Sequence, residues 1–168
     1  MAQVGAGRLN ALDAFLPSYE FAARYGVAIH AEARVAEQAV RDVTFREVPV
    51  VRMLLLLRGL GTGHADQQVL TAMARLGSVL DDVPGEGLVL GIRGRFWRVR
   101  GDGDEPEASA IVDFRADRGS LTTETRVHVP EGVSRRRFAR YWRVVGPFSG
   151  VTRRQILRAA KRRAERAT

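Results

Sequence analysis

The chain has 168 residues, of which 45% are hydrophobic, 27% are charged and none is cysteine, and its net charge is +8 at pH 7. This length and apolar content predict one domain with a sizeable core and exclude a chain that is disordered throughout. The lack of cysteine excludes disulfides, thiolate metal sites and cysteine nucleophiles.

Residues 1–18 are predicted to form an N-terminal extension of a single domain over residues 19–168. Met1–Gly7 contains no basic cluster followed by an apolar run, so we expect no signal peptide and a cytoplasmic location. The stretch Leu12–Pro17 predicts a turn or a short helical hook that packs apolar side chains onto the domain.

The next region predicts one strand and two helices. From Tyr19 to Ala31 apolar residues alternate with period two, which is typical of a strand. A helical period follows over residues 33–43, and Pro49 suits the first turn of a second helix, Val50–Leu60. The apolar run in that helix, Met53–Leu57, is far shorter than the roughly 20 residues that span a bilayer, so no transmembrane segment is expected.

The region from Gln68 to Val129 is predicted to be rich in strands. Short apolar runs predict strands over Val69–Arg75 and Ser78–Val83, with a turn at Pro84–Gly87. Alternating patterns predict three further strands over Leu88–Trp97, Ala110–Ala116 and Leu121–Val129. Because the connections are short, the predicted sheet is antiparallel.

Residues 133–166 are predicted to be helical. One apolar stripe contains Phe138, Tyr141, Trp142 and Val145, at i, i+3, i+4 and i+7. Pro147 has no N–H to donate, which predicts a kink or a break. Beyond it the stripe is predicted to resume with Val151, Ile156, Leu157 and Ala160.

The net charge of the chain originates in this same helix. Residues 133–168 carry twelve basic side chains against one acid, whereas residues 1–132 carry fifteen against eighteen. Such asymmetry is found in proteins that contact nucleic acid or membrane surfaces, and more often on the solvated face of an amphipathic helix. We favour the solvated face, and we rank nucleic acid low because Tyr141 and Trp142 lie on the apolar stripe.

The predicted order of elements describes an α+β helix-grip fold, in which a curved antiparallel sheet wraps a long C-terminal helix. This order resembles the START-related, birch-pollen-allergen-like superfamily (SRPBCC), and in particular an uncharacterised bacterial branch similar to polyketide cyclases. The resemblance covers residues 12–166, and its most specific segments are Phe15–Tyr19, Leu90–Trp97, Thr123–Val127 and Phe138–Arg154. The branch often has Ala-Pro where this chain has Ala31-Glu32, and often has His where it has Tyr25.

The small residues on the predicted concave face indicate unfilled space, because Gly94, Ala110 and Thr123 stand among large aromatic rings. A pocket of this kind suits a hydrophobic or aromatic small molecule, although a close-packed core remains the alternative. The resemblance favours the pocket. The predicted ligand-binding residues are Tyr25, Phe96, Ala110, Phe114, Thr123, Tyr141 and Trp142.

No catalytic residue is assigned by the sequence. A cyclase or dehydratase activity is one alternative, for which Asp81, Asp82 and Tyr25 are weak acid–base candidates. The three histidines, His30, His64 and His128, lack metal-ligand spacing, so neither a metal nor a cofactor is expected. A second alternative is binding of anionic lipid or nucleic acid through the arginine-rich helix. Either a monomer or a homodimer is compatible with the sequence.

Overall fold

A computed structural model of the protein describes residues 11–57, 64–83, 87–94, 107–117, 119–131 and 133–167. These residues form an α+β fold with a single five-stranded antiparallel sheet. The elements in chain order are α1 Ala11–Phe15, β1 Phe21–Ala28, α2 Ala33–Arg41, α3 Pro49–Leu57, α4 Val69–Leu76, β2 Ser78–Val83, β3 Gly87–Gly94, β4 Ala108–Asp117, β5 Ser120–His128 and α5 Val133–Arg166.

The strands are arranged in the order β1-β5-β4-β3-β2, and each neighbouring pair is antiparallel. The register places Tyr25 opposite Thr123, Thr125 opposite Val112, and Val112 opposite Leu90. Because side chains alternate along a strand, these residues share one face of the sheet, which we call the inner face. The predicted α+β class and antiparallel sheet are confirmed.

Helix α5 packs against the inner face, with α2 beside it. The predicted stripe is confirmed for Phe138, Tyr141 and Trp142, whereas Val145 belongs to neither core cluster. Phe138 is fully buried, and its ring lies 4.9 Å from that of Phe21 and 5.8 Å from that of Trp142. Lys161 donates to the carbonyl of Ala28, so α5 runs in the same direction as β1. The long C-terminal helix on the sheet is therefore confirmed.

The predicted break at Pro147 is wrong, because α5 is one helix of 34 residues that continues through Pro147. Pro147 is exposed, and the helix is anchored on both sides of it by buried Phe138 and Leu157. Packing at both ends outweighs the loss of one backbone hydrogen bond.

The predicted strand over Val69–Arg75 is also wrong, since this segment is α4. Val69, Leu70 and Ala72 are buried together on one face of the helix, and the backbone N–H of Val69 bonds to the carbonyl of Val43. A short apolar run does not distinguish a strand from a buried helix, and tertiary packing decided here. Three helices therefore lie between β1 and β2, where two were predicted.

The other predicted elements are confirmed with ends shifted by a few residues. Some predictions lie outside the described residues: the end of the second helix after Leu57, the turn at residues 84–86 and the strand beyond Gly94. Within the described part of the chain, no helix has the length and apolarity needed to cross a membrane.

Candidate site between sheet and C-terminal helix

Apolar packing is interrupted at one level on β1, β5 and α5, whereas β4 and β3 carry buried Val112 and Leu90 at that level. An aromatic cluster contains Phe138 and Val127, with Phe21 and Trp142 packed on it. A larger aliphatic cluster contains the other end of α5, from Ile156 onward. Residues 143–155 are all described, and none of them contributes an apolar side chain to either cluster.

The same interruption occurs on the strands that face this part of α5. Ala23 separates Phe21 from Tyr25 on β1, and Thr123 and Thr125 separate Leu121 from Val127 on β5. Small and polar side chains therefore meet across the interior at this level. We call this region the inner gap, and its members are Ala23, Tyr25, Thr123, Thr125, Gly146, Gly150 and Arg153.

Tyr25 crosses from the sheet to the helix within the inner gap. A Cβ atom on Gly150 would lie 2.5 Å from the Tyr25 hydroxyl, so the ring reaches the helix only because residue 150 is glycine. The guanidinium of Arg154 lies 4.8 Å from the centre of the Tyr25 ring, within cation–π range. Tyr25 is thus held between the backbone of α5 and a cation.

Arg153 is the charged member of the inner gap. It lies four residues before buried Leu157 and seven before buried Ala160, which places it on the inward side of α5. Its Nη1 atom is buried and has no hydrogen-bond partner in the described structure. Burial lowers the pKa of Arg153 to about 10, although Tyr25 and the Asp113 carboxylate oppose this shift.

The two threonines of β5 differ in how their hydroxyls are used. Thr123 is fully buried and donates to the carbonyl of Asp113 at 2.6 Å, so its hydroxyl is hydrogen-bonded within the sheet. Thr125 is also buried, but its Oγ1 has no partner within the described residues. The inner gap therefore contains two unpaired polar groups, on Arg153 and Thr125.

The residues predicted to bind a ligand lie in different parts of this region. Tyr25 and Thr123 lie in the inner gap, and Ala110 is partly buried at its aromatic edge. Tyr141 and Trp142 belong to the aromatic cluster, whereas Phe114 is buried in the aliphatic cluster. Phe96 lies outside the described residues.

Asp81 and Asp82 lie elsewhere, on the edge strand β2. Asp82 lines an open cavity of about 340 Å³ between α2, α4 and the sheet edge, beside Leu70, Leu88 and Leu90. Its carboxylate pairs with Arg41 at 2.6 Å, and Gln38 and Gln68 both donate to Asp42 at the same cavity. Arg41 and Asp82 form an ion pair, although the Nη2 atom of Arg41, like Nη1 of Arg153, makes no hydrogen bond within the described residues.

The outer face of the sheet carries a buried arginine. Arg126 is only 5% exposed, and it bonds to Glu124 at 2.7 Å and to Asp13 of α1. Burial lowers the pKa of Arg126, but the bonds to Asp13 and Glu124 outweigh burial and raise it above its ordinary value. Glu124 and Arg126 lie two residues apart on the same strand, β5, and Asp13 of α1 joins their ion pair.

The predicted hook is α1, and its principal buried residue is Leu12, which packs on Val89 and Ile111. Phe15, by contrast, is exposed. Arg115 forms an ion pair with Asp113, with 3.0 Å between its Nε atom and the carboxylate. Among the described residues, no group of three His, Asp or Glu side chains is placed to hold a metal ion.

Sequence reasoning missed Arg153 and Gly150. Their spacing indicated the inward side of the helix, because that side repeats at intervals of three or four residues. It contains Trp142, Gly146, Gly150, Arg153 and Leu157. Val151, which was assigned to the stripe, is exposed. The arginine was grouped with its solvated neighbours by residue type.

No protein-family model matches the chain, and neither the curated proteins nor the solved structures contain a match.

Proposed function

We propose that this protein binds an apolar small molecule in the inner gap, between the sheet and α5. The observation that supports this proposal is that apolar packing is interrupted at the same level on β1, β5 and α5. A protein interior is ordinarily close-packed with apolar side chains, and binding sites combine apolar walls with a few polar groups. The aromatic and aliphatic clusters supply such walls on either side.

The test is the binding of the neutral fluorophore N-phenyl-1-naphthylamine, measured by the rise of its emission in an apolar site. We expect the wild type to bind it, and Ala110→Phe to bind it about tenfold more weakly, because the new ring takes part of the space. Ala22→Phe is the matched control, since Ala22 is exposed on the other face of β1. No binding by the wild type, or equal loss in both variants, would contradict the proposal.

A second candidate function is attachment to anionic lipid through the outward side of α5. Val144, Phe148 and Val151 are 64%, 52% and 46% exposed and follow at intervals of four and three. Exposed arginines, including Arg140 and Arg158, lie along the same helix. An apolar strip between cations suits an interfacial helix on an anionic bilayer.

Vesicle sedimentation tests this candidate. We expect binding to phosphatidylcholine vesicles that contain phosphatidylglycerol, with a decrease in high salt and in Phe148→Glu. Equal binding to vesicles of phosphatidylcholine alone, or none to either, would remove the candidate. Nucleic acid remains ranked below lipid, because Tyr141 and Trp142 pack on Phe138 and Phe21.

The superfamily resemblance, the cytoplasmic location and a cyclase or dehydratase activity stay predictions. Of the three candidates for acid–base chemistry, Tyr25 alone belongs to the inner gap, while Asp82 is bound to Arg41. A binding function therefore has more support than a catalytic one.

A further inference from the structure

Arg153 lies within residues 143–155 of α5, none of which belongs to either apolar cluster. Gly150 and Leu157 flank it on the inward side of the helix, and both are buried. Tyr25 reaches α5 at Gly150, three residues before Arg153. Arg153 is thus a half-buried cation on the inward side of α5, next to the point where Tyr25 meets the helix.

The described residues leave this charge without a hydrogen-bonding anion. The Nη1 atom is buried and unpaired, as is Oγ1 of Thr125 on the facing strand β5. Asp113 is the carboxylate whose charge reaches Arg153, but one of its oxygens accepts from the backbone N–H of Glu124 and the other forms an ion pair with Arg115. Asp113 also lies on the outer face of the sheet, opposite Val89.

A buried, unpaired guanidinium lowers the stability of a protein, so an apolar replacement of similar volume would fold better. The planar fork of an arginine matches a carboxylate, to which it donates two parallel hydrogen bonds. One guanidinium neutralises one carboxylate, whereas a phosphate dianion would leave one negative charge buried without a partner. The unpaired hydroxyl of Thr125 is a further donor on the inner face of β5.

We infer that the small molecule in the inner gap is a monocarboxylic acid with an apolar body, whose carboxylate binds Arg153 and Thr125. This inference rests on the proposed function. In this arrangement the aromatic and aliphatic clusters enclose the apolar body of the ligand, and the two unpaired donors bind its carboxylate.

Titration calorimetry with two matched pairs tests the inference: 2-naphthoate against 2-naphthamide, and octanoate against octanamide. Each pair shares its apolar body and differs only in charge. We expect the wild type to bind the acid of at least one pair roughly ten- to a hundredfold more tightly than its amide, the range for hydrogen bonds to charged groups. Arg153→Gln should abolish this preference, and Thr125→Val should reduce it.

Arg158→Gln is the matched control, because Arg158 lies on the same helix but is exposed. Equal binding of acid and amide by the wild type would overturn the inference and leave the proposed function standing. The same holds if Arg153→Gln and Arg158→Gln reduce the preference equally, since long-range charge would then explain it. If none of the four compounds binds, and N-phenyl-1-naphthylamine does not bind either, the proposed function fails as well.

Discussion

Arg126 is buried on the outer face of the sheet, Arg153 is half-buried on the inward side of α5, and their surroundings differ. Arg126 on the outer face bonds to Glu124 and Asp13, and its guanidinium also lies 4.6 Å from the ring of Tyr19. Arg153 on the inner face has Tyr25 nearby, and its Nη1 atom has no hydrogen-bond partner in the described structure. The pKa shifts follow this difference, because burial lowers the pKa of Arg153, whereas at Arg126 the ion pairs outweigh burial and raise the pKa.

Burial of a charge thus has two different consequences in one molecule. On the outer face the charge joins α1 to β5, so it belongs to the fold. On the inner face the buried Nη1 atom of Arg153 has no hydrogen-bond partner within the described residues, and in our proposal this charge binds a ligand.

The largest effect is expected for Arg126→Met. Removing the guanidinium leaves Glu124 and Asp13 without their shared cation, and breaking such a buried pair costs about 3 kcal/mol. Urea denaturation measures the loss of unfolding free energy. The exposed Arg158→Met should change it by less than about 0.5 kcal/mol. A loss equally small in Arg126→Met would show that the outer ion pairs are not structural.

Two alanines on β4 test whether the interior has unfilled space. Ala108 is fully buried in the aromatic cluster, so Ala108→Phe should overpack the core and cost roughly 1–3 kcal/mol. Ala110 lies two residues farther along the same face and is only partly buried, so Ala110→Phe should cost clearly less. Thermal melts of the two variants measure this difference in stability. An equal loss of stability would indicate a close-packed core at both positions.

The expected pH effects are smaller, and they have opposite signs at two carboxylates. Burial raises the pKa of Glu47, but hydrogen bonds from Arg163 and Thr44 outweigh it, so the pKa lies below its ordinary value. Burial raises the pKa of Asp113 despite the Glu124 N–H and the charge of Arg115. Glu47 therefore stabilises the fold above its unfolded pKa and loses this contribution in acid, whereas protonation relieves Asp113 as the pH falls through its raised pKa.

It follows that Glu47→Gln should flatten the loss of stability below about pH 5, and Asp113→Asn should steepen it. Urea unfolding at several acidic pH values measures both slopes. Slopes that change in the same direction would contradict the assignment of these two carboxylates.

The sequence predicted the elements with a long, regular period, because periodicity alone specifies which side is buried. The strands β1, β4 and β5 and the aromatic half of α5 belong to this group. Helix α4 was missed, since eight residues with three buried side chains fit either period, and only contact with Val43 and the sheet decides. Continuity through Pro147 also depends on packing at both ends of α5.

The candidate site was predicted only in part, for a different physical reason. Tyr25, Ala110 and Thr123 were identified by their place on one strand face, which is a local property. The roles of Thr123 and Thr125 depend on which hydroxyl meets the carbonyl of Asp113, a contact across strands that no local pattern specifies. Arg153 was missed because its residue type predicts solvent, while its position on the helix predicts the interior.

The most direct test of the account is the unfolding free energy of Arg153→Met, compared with Arg126→Met under the same conditions and without added ligand. If Arg153 is an unpaired charge kept for a ligand, its replacement by an apolar side chain of similar length should leave the stability unchanged or raise it by about 1 kcal/mol. The two arginines would then give effects of opposite sign. A loss in Arg153→Met similar to that in Arg126→Met would contradict the account, because Arg153 would then be part of the fold.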